Sequence, residues 1–265
     1  METRLRHLYE SLHGFKTETQ KHICDDFHVA LGAKSKTHLA DLFVEAIDEN
    51  SRLAEIIEPF ITDDMLRNRH RTETERQEAE REAKGTVRVT DAMKKLGTIT
   101  IRGANAPCTV KYIQREVPHL KGMESARQGN RAWIDYIGVS AGRPVLGEIK
   151  CGTDQNPFYA FIQLLTYLSE LATPSQQKRS VKHNLFGDSC KSLSCFDLHI
   201  PLADVNERSD KWKMIEPTQN LVKAFRQCLS RQYPEKAKLF GRIVCVATQI
   251  DSFESGDSLT CCWEV

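Results

Sequence analysis

The sequence predicts an α/β protein, with a mixed central sheet flanked by helices and a helical layer at the N-terminus. Three observations lead there. Apolar residues over 1–61 recur at helical spacing. Four strand-like runs follow between 98 and 151. Beyond them, helix-like and strand-like segments alternate to 250, the pattern of a sheet covered by helices.

The elements follow in order. Leu5, Leu8, Tyr9 and Leu12 mark a first helix, Ile23, Phe27 and Leu31 a second, and Leu39, Leu42, Phe43 and Ile47 a third. Gly14 and Gly32 punctuate them, and 53–61 reads as a further short helix ending near Pro59. This gives a helical N-terminal region over 1–61 and a larger domain over 62–265. Residues 62–84 open with Asp63-Asp64 and continue as a mixed Arg/Glu run. They read as a charged helix with i,i+4 pairs, stopped by Gly85. Strands are expected at 98–102, 109–117, 132–139 and 143–151. Asn156 as N-cap and Pro157 as first helical residue start a strong apolar helix to about Leu171, closed by Thr173-Pro174. A polar loop then leads to a strand at 196–202, a helix near 218–233 and a strand at 242–250.

Composition narrows the function classes. Net charge is +1, but positive charge gathers over 61–130, just ahead of the strand at 132–139, where a polyanion could be drawn in. Nine cysteines without a CxxC pair argue against a disulfide framework and for a reducing compartment; they read as small apolar fillers. The N-terminus lacks an apolar signal core, and no segment has the length of a membrane span. The expectation is therefore an intracellular protein, cytoplasmic or, in a eukaryote, nuclear. The nine histidines are scattered and read as ordinary surface or core residues.

The chemistry-bearing residues cluster in the middle of the chain. Asp135 interrupts Trp133-Ile134-Asp135-Tyr136-Ile137-Gly138-Val139. Glu148 and Lys150 interrupt Val145-Leu146-Gly147-Glu148-Ile149-Lys150. On a strand, Glu148 and Lys150 point to one face. Burying a lone charge costs several kcal/mol, so two acids and an amine in buried sheet need a joint reason. A divalent cation shared by Asp135 and Glu148 supplies one. The competing reading is a structural ion pair at a sheet edge. On the following helix Gln163 and Tyr167 are four apart and share a face, either as site residues or as its wet side.

Asp135, Glu148-x-Lys150 and Gln163-x-x-x-Tyr167 together resemble the PD-(D/E)xK nuclease superfamily, in its RecB-like branch with a QxxxY motif. The resemblance implies a restriction-endonuclease-like fold over 62–265 and a metal-dependent nuclease acting on phosphodiester bonds, with DNA the preferred substrate. It implies that Asp135, Glu148 and the backbone carbonyl of Ile149 bind Mg²⁺ or Mn²⁺. Lys150 would orient the attacking water, and Gln163 and Tyr167 would position the nucleic acid. A supporting acid is expected upstream, with Glu78, Glu82 and Glu116 as candidates. Ile134 stands where the superfamily has proline, and the iron–sulfur cysteines of one branch have no counterpart. The alternative is a catalytically inactive nuclease-fold protein serving as a nucleic-acid-binding or assembly module. The helical N-terminal region is the expected surface for a second copy or a protein partner.

Overall fold

Period-2 patterning and turn chemistry set the strands that hold the site. The computed structural model describes residues 3–32, 38–57, 84–102, 107–118, 133–151, 156–204, 212–256 and 258–265. Three helices open the chain: α1 (Arg4–His13), α2 (Thr17–Gly32) and α3 (Leu39–Ile57). After the segment 58–83, which lies outside the described residues, come α4 (Lys84–Leu96), β1 (Thr98–Arg102), β2 (Pro107–Pro118), β3 (Trp133–Ser140), β4 (Arg143–Gly147) and β5 (Lys150–Cys151). Helices α5 (Pro157–Leu171) and α6 (Pro174–Lys182) precede β6 (Phe196–Ala203). Then α7 (Ile215–Gln232), α8 (Pro234–Ala237), β7 (Phe240–Thr248), α9 (Ile250–Ser255) and β8 (Leu259–Glu264) complete the fold.

The α/β class is as expected, but the sheet is not an open one. Its order is β4-β3-β2-β1-β8-β7-β6, and β6 pairs back with β4, so seven strands close into a ring; β5 continues the line of β4 along β6. The closure departs from the central sheet expected of a restriction-endonuclease-like core. Its cause is β8, for which Thr260-Cys261-Cys262 gives little strand signal. Parallel pairing of Ile101 with Leu259 and of Arg102 with Thr260 joins β8 to β1 and removes the two edges. Neighbours β1–β2, β2–β3, β3–β4 and β7–β8 are antiparallel, whereas β4–β6 and β6–β7 are parallel.

Three local expectations need correction. Gly85 does not stop a helix; it lies inside α4, which forms because Val89, Ala92 and Met93 fall on one buried face. The β-branched run Thr86-Val87-Arg88-Val89-Thr90 masks that helix in the sequence. Thr173-Pro174 ends α5 but also starts α6, with Pro174 at the first helical position, where its missing N–H costs nothing. The third helix continues without a break from Leu39 to Ile57 instead of dividing into two.

Alternation along the strands gives the sheet two apolar faces. One carries Ile137, Val139, Leu146, Leu198, Ile200, Leu202 and Ile243, packed in a single cluster with Leu5 and Leu12 of α1, Phe43 of α3, Phe161 and Leu165 of α5, and Phe225 of α7. Phe225 meets Phe43, Phe161 and Phe240 edge-on at 5.5–6.0 Å, the favoured geometry for aromatic pairs. The N-terminal helices therefore pack directly on the sheet's helical cover. The other face carries Val110, Tyr136, Val145, Ile149, Val244 and Val246 against Val89 and Met93 of α4 and Phe253 of α9. Here Gly147 leaves room for the Tyr136 ring: a Cβ at 147 would lie 1.9 Å from Tyr136 Cε1.

Where β4, β6 and β7 meet, the fully buried Asp197 carboxylate accepts from Arg143 Nε (2.9 Å) and Nη2 (3.1 Å) and from the Arg242 backbone N–H (2.8 Å). Two residues along, His199 is also buried, and neither ring nitrogen has a partner among the described residues. Desolvation lowers its pKa to about 4, so the imidazole is neutral at pH 7.

Candidate active site

The β3–β4 hairpin fixes the position of the first acid. Ala141 and Gly142, both at positive φ (48° and 80°), form its two-residue turn between Ser140 and Arg143, the primed-turn geometry that matches strand twist. That turn sets the register Ile137↔Leu146 and Tyr136↔Gly147, so Asp135 falls opposite Glu148. By alternation Asp135 lies on the face of Ile137, and Glu148 and Lys150 lie on the face of Leu146, the face covered by α5. Gly147 pairs with His199 and Lys150 with Leu202, so β4 and β5 run as one line beside β6, with Glu148 N–H donating to the His199 carbonyl (3.0 Å).

The side chains meet as follows. Asp135 Oδ2 accepts from the Ile149 backbone N–H at 2.7 Å. Lys150 Nζ donates to Glu148 Oε1 at 2.9 Å and to Gln163 Oε1 at 3.0 Å. The Gln163 amide nitrogen donates in turn to the Tyr167 hydroxyl. Glu148, Lys150, Gln163 and Tyr167 are all buried, and Asp135 is half-buried. The wet-side reading of Gln163 and Tyr167 is thereby corrected. Helix α5 is buried all round, so polar groups on it must find partners, and these two find the strand charges. The structural ion-pair reading keeps its footing: Lys150 and Glu148 are paired at 2.9 Å, and Lys150 lies on β5, which pairs with β6 and continues the line of β4 outside the seven-strand ring.

Helix α5 starts where the sequence places it. Asn156 Oδ1 accepts from the Phe158 (2.9 Å) and Tyr159 (3.3 Å) backbone N–H groups, and Pro157 follows at the first helical position. The Asn156 amide also donates to Gln20 of α2. The cap thus fixes the phase of Gln163 and Tyr167 and ties the site helix to the N-terminal layer.

Burial above all, with the fields of Glu148 and Asp135 added, raises the Tyr167 pKa well above its ordinary value. Both acids therefore bear on one hydroxyl, which stays protonated. Burial pushes the neighbouring Cys151 thiol up to about 11, so it is not a thiolate nucleophile at neutral pH.

Of the upstream acids, Glu78 and Glu82 lie outside the described residues. Glu116 is on β2 between Arg115, paired with Tyr136, and Val117, paired with Ile134, so its backbone occupies the register position facing Asp135. Among the described residues no group of three His, Cys, Asp or Glu side chains gathers as a metal site.

Two site residues escape the sequence motif. The Tyr159 ring centroid lies 4.6 Å from Lys150 Nζ. Its signal was present: Tyr159, Gln163 and Tyr167 stand at i, i+4 and i+8, a single stripe on α5. Tyr9 of α1 stacks on Tyr159 at 5.5 Å, and no local pattern announces that contact. No helix among the described residues is long and apolar enough to cross a membrane. Comparison with known proteins yields no matching family model, no matching curated protein and no matching solved structure.

Proposed function

We propose that the chain is a metal-dependent nuclease that hydrolyses phosphodiester bonds, with DNA as its substrate, built on a variant of the restriction-endonuclease-like core. The observation that supports this reading is the placement of Asp135, Glu148 and Lys150 on one face of the sheet by strand alternation and register. Asp135 is bound to the Ile149 amide, and Lys150 sits between Glu148 and Gln163. The ring closure through β8 counts as a departure from an open nuclease sheet.

The donor set fits a hard cation, since carboxylate and carbonyl oxygens suit Mg²⁺ or Mn²⁺, and water would complete the ligands. Such a metal, when bound, polarises a phosphoryl oxygen and lowers the pKa of a coordinated water. The protein's own groups do the rest. Lys150 offers a fixed ammonium to a water and to charge developing on phosphorus, a contribution on the order of 3 kcal/mol in a dry site. Gln163 fixes the ammonium's direction, and the protonated Tyr167 hydroxyl holds Gln163 in place. DNA is the expected partner, and the basic excess over 61–130 supplies a long-range field for it.

One observation favours the second reading, an inactive nuclease-fold protein that binds nucleic acid or assembles with others. Glu148 and Lys150 are each 95 % or more buried as side chains and form an ion pair at 2.9 Å. A direct test is incubation of purified protein with plasmid and single-stranded DNA in Mg²⁺, Mn²⁺ or EDTA. Cleavage that needs metal and vanishes in Asp135→Asn and Lys150→Met, with folding intact, is the expected outcome. DNA binding that persists in EDTA without cleavage in either metal selects the second reading. Absence of DNA association at low salt, where phosphate contacts are strongest, removes both DNA readings and leaves an assembly role.

A further inference from the structure

A column of four side chains runs from the N-terminal helix to Lys150. Arg6 Cζ lies 5.7 Å from the Tyr9 ring centroid. The Tyr9 and Tyr159 rings stack at 5.5 Å with planes 19° apart. Lys150 Nζ lies 4.6 Å from the Tyr159 centroid. The order is cation, ring, ring, cation, and both ends are anchored. Arg6 donates to Glu10 (3.0 Å) and to the buried Glu170 of α5 (3.2 Å), while Lys150 donates to Glu148 and Gln163. Leu5 and Leu12, on either side of Arg6 and Tyr9 in sequence, are fully buried in the main core, so α1 is held firmly against α5.

We infer that Tyr9 and Tyr159, backed by Arg6, are positioning residues for Lys150, so that the N-terminal helix supplies part of the active site. The physical need is clear from the side chain concerned. A lysine ammonium is a point charge on a flexible four-carbon stem, so its position depends on the groups packed around it. An aromatic face within 4.6 Å attracts the cation and narrows its range. Tyr9 keeps the Tyr159 ring at its angle, and Arg6 holds Tyr9 against it. The role in catalysis rests on the nuclease reading; the effect on Lys150 itself does not.

The test therefore has two arms, run on Tyr9→Phe, Tyr9→Leu and Tyr159→Leu in the full chain. In the first, the Lys150 ε-methylene is observed by NMR, where a ring directly beneath shifts the signal upfield. Wild type and Tyr9→Phe are expected to show the shifted signal, Tyr159→Leu to lose it and Tyr9→Leu to move it towards that of a free lysine. In the second arm, metal-dependent DNA cleavage is expected to show kcat reduced on the order of tenfold in both leucine variants, with KM within about twofold, and a smaller loss in Tyr9→Phe, which keeps the stacked ring but gives up the hydroxyl's hydrogen bond to Tyr159. An unmoved Lys150 signal in Tyr9→Leu overturns the inference. A moved signal with unchanged kcat in an active enzyme overturns the catalytic role. A wild type that cleaves nothing refutes the nuclease reading instead, and the NMR arm still decides whether α1 sets the ammonium.

Discussion

The Glu148–Lys150 pair can be taken apart one charge at a time, and the outcome tells whether the two charges share one buried place. Both side chains are at most 5 % exposed, and Nζ to Oε1 is 2.9 Å. Lys150→Met leaves the carboxylate beneath α5 without its cation, and removing one partner of a buried pair costs about 3–5 kcal/mol. Glu148→Leu strands the ammonium, though Gln163 and the Tyr159 ring still serve it, so its cost should fall at the lower end of that range. The double variant Glu148→Leu/Lys150→Met removes both charges at similar volume and is expected within about 1–2 kcal/mol of wild type. The cycle then gives a coupling energy of several kcal/mol, read from urea unfolding at constant m-value. In a chain of this size the Lys150→Met loss corresponds to a drop in Tm on the order of 10 °C. All three variants should lack cleavage activity, and the stable double variant shows that the loss is chemical. Single-variant costs that simply add would refute the shared placement.

Other consequences follow from the same structure. His199 binds protons in the unfolded chain below its ordinary pKa of 6.5 but in the folded protein only below about 4. Stability is therefore lost as pH falls through that window, by about 3 kcal/mol over roughly 2.5 units, and His199→Leu should flatten the slope of unfolding free energy against pH between 4 and 7. An equally steep slope in the variant would show that other groups carry it. Gly147→Ala sets a methyl group 1.9 Å from Cε1 of the fully buried Tyr136 ring, so it should cost on the order of 3 kcal/mol in chemical denaturation. Tyr136→Leu in the same chain should recover part of that loss, whereas no recovery would place the strain elsewhere.

The parts of the structure legible in the sequence are those governed by short-range rules. Period-2 alternation gives the strand around Asp135 and the shared face of Glu148 and Lys150, but the strand expected over 143–151 divides into β4 and β5, with Glu148 and Ile149 between them. The Asn156-Pro157 cap gives the start of α5, and the four-residue interval gives the Gln163–Tyr167 contact. What the sequence hides depends on distant partners or conflicting local signals. The helix α4 contains a glycine and several β-branched residues, each of which argues against a helix, yet Val89 and Met93 gain burial on the sheet. Strand β8 has a weak pattern and forms because β7 and β1 flank it on either side. The Tyr9–Tyr159 stack joins residues far apart in the chain, and nothing near Tyr9 marks it.

Joining β1 to β8 has a consequence for how the protein is made. Until 259–264 leaves the ribosome, β1 and β7 each present an unpaired ladder to solvent, a ready template for another nascent chain. Loss of β8 would leave the described helices and the acid–amine cluster encoded, yet it would yield a product inclined to stick to its own kind. β8 is thus expected to guard solubility, which deleting residues 259–264 would reveal as a shift from monomer to sediment.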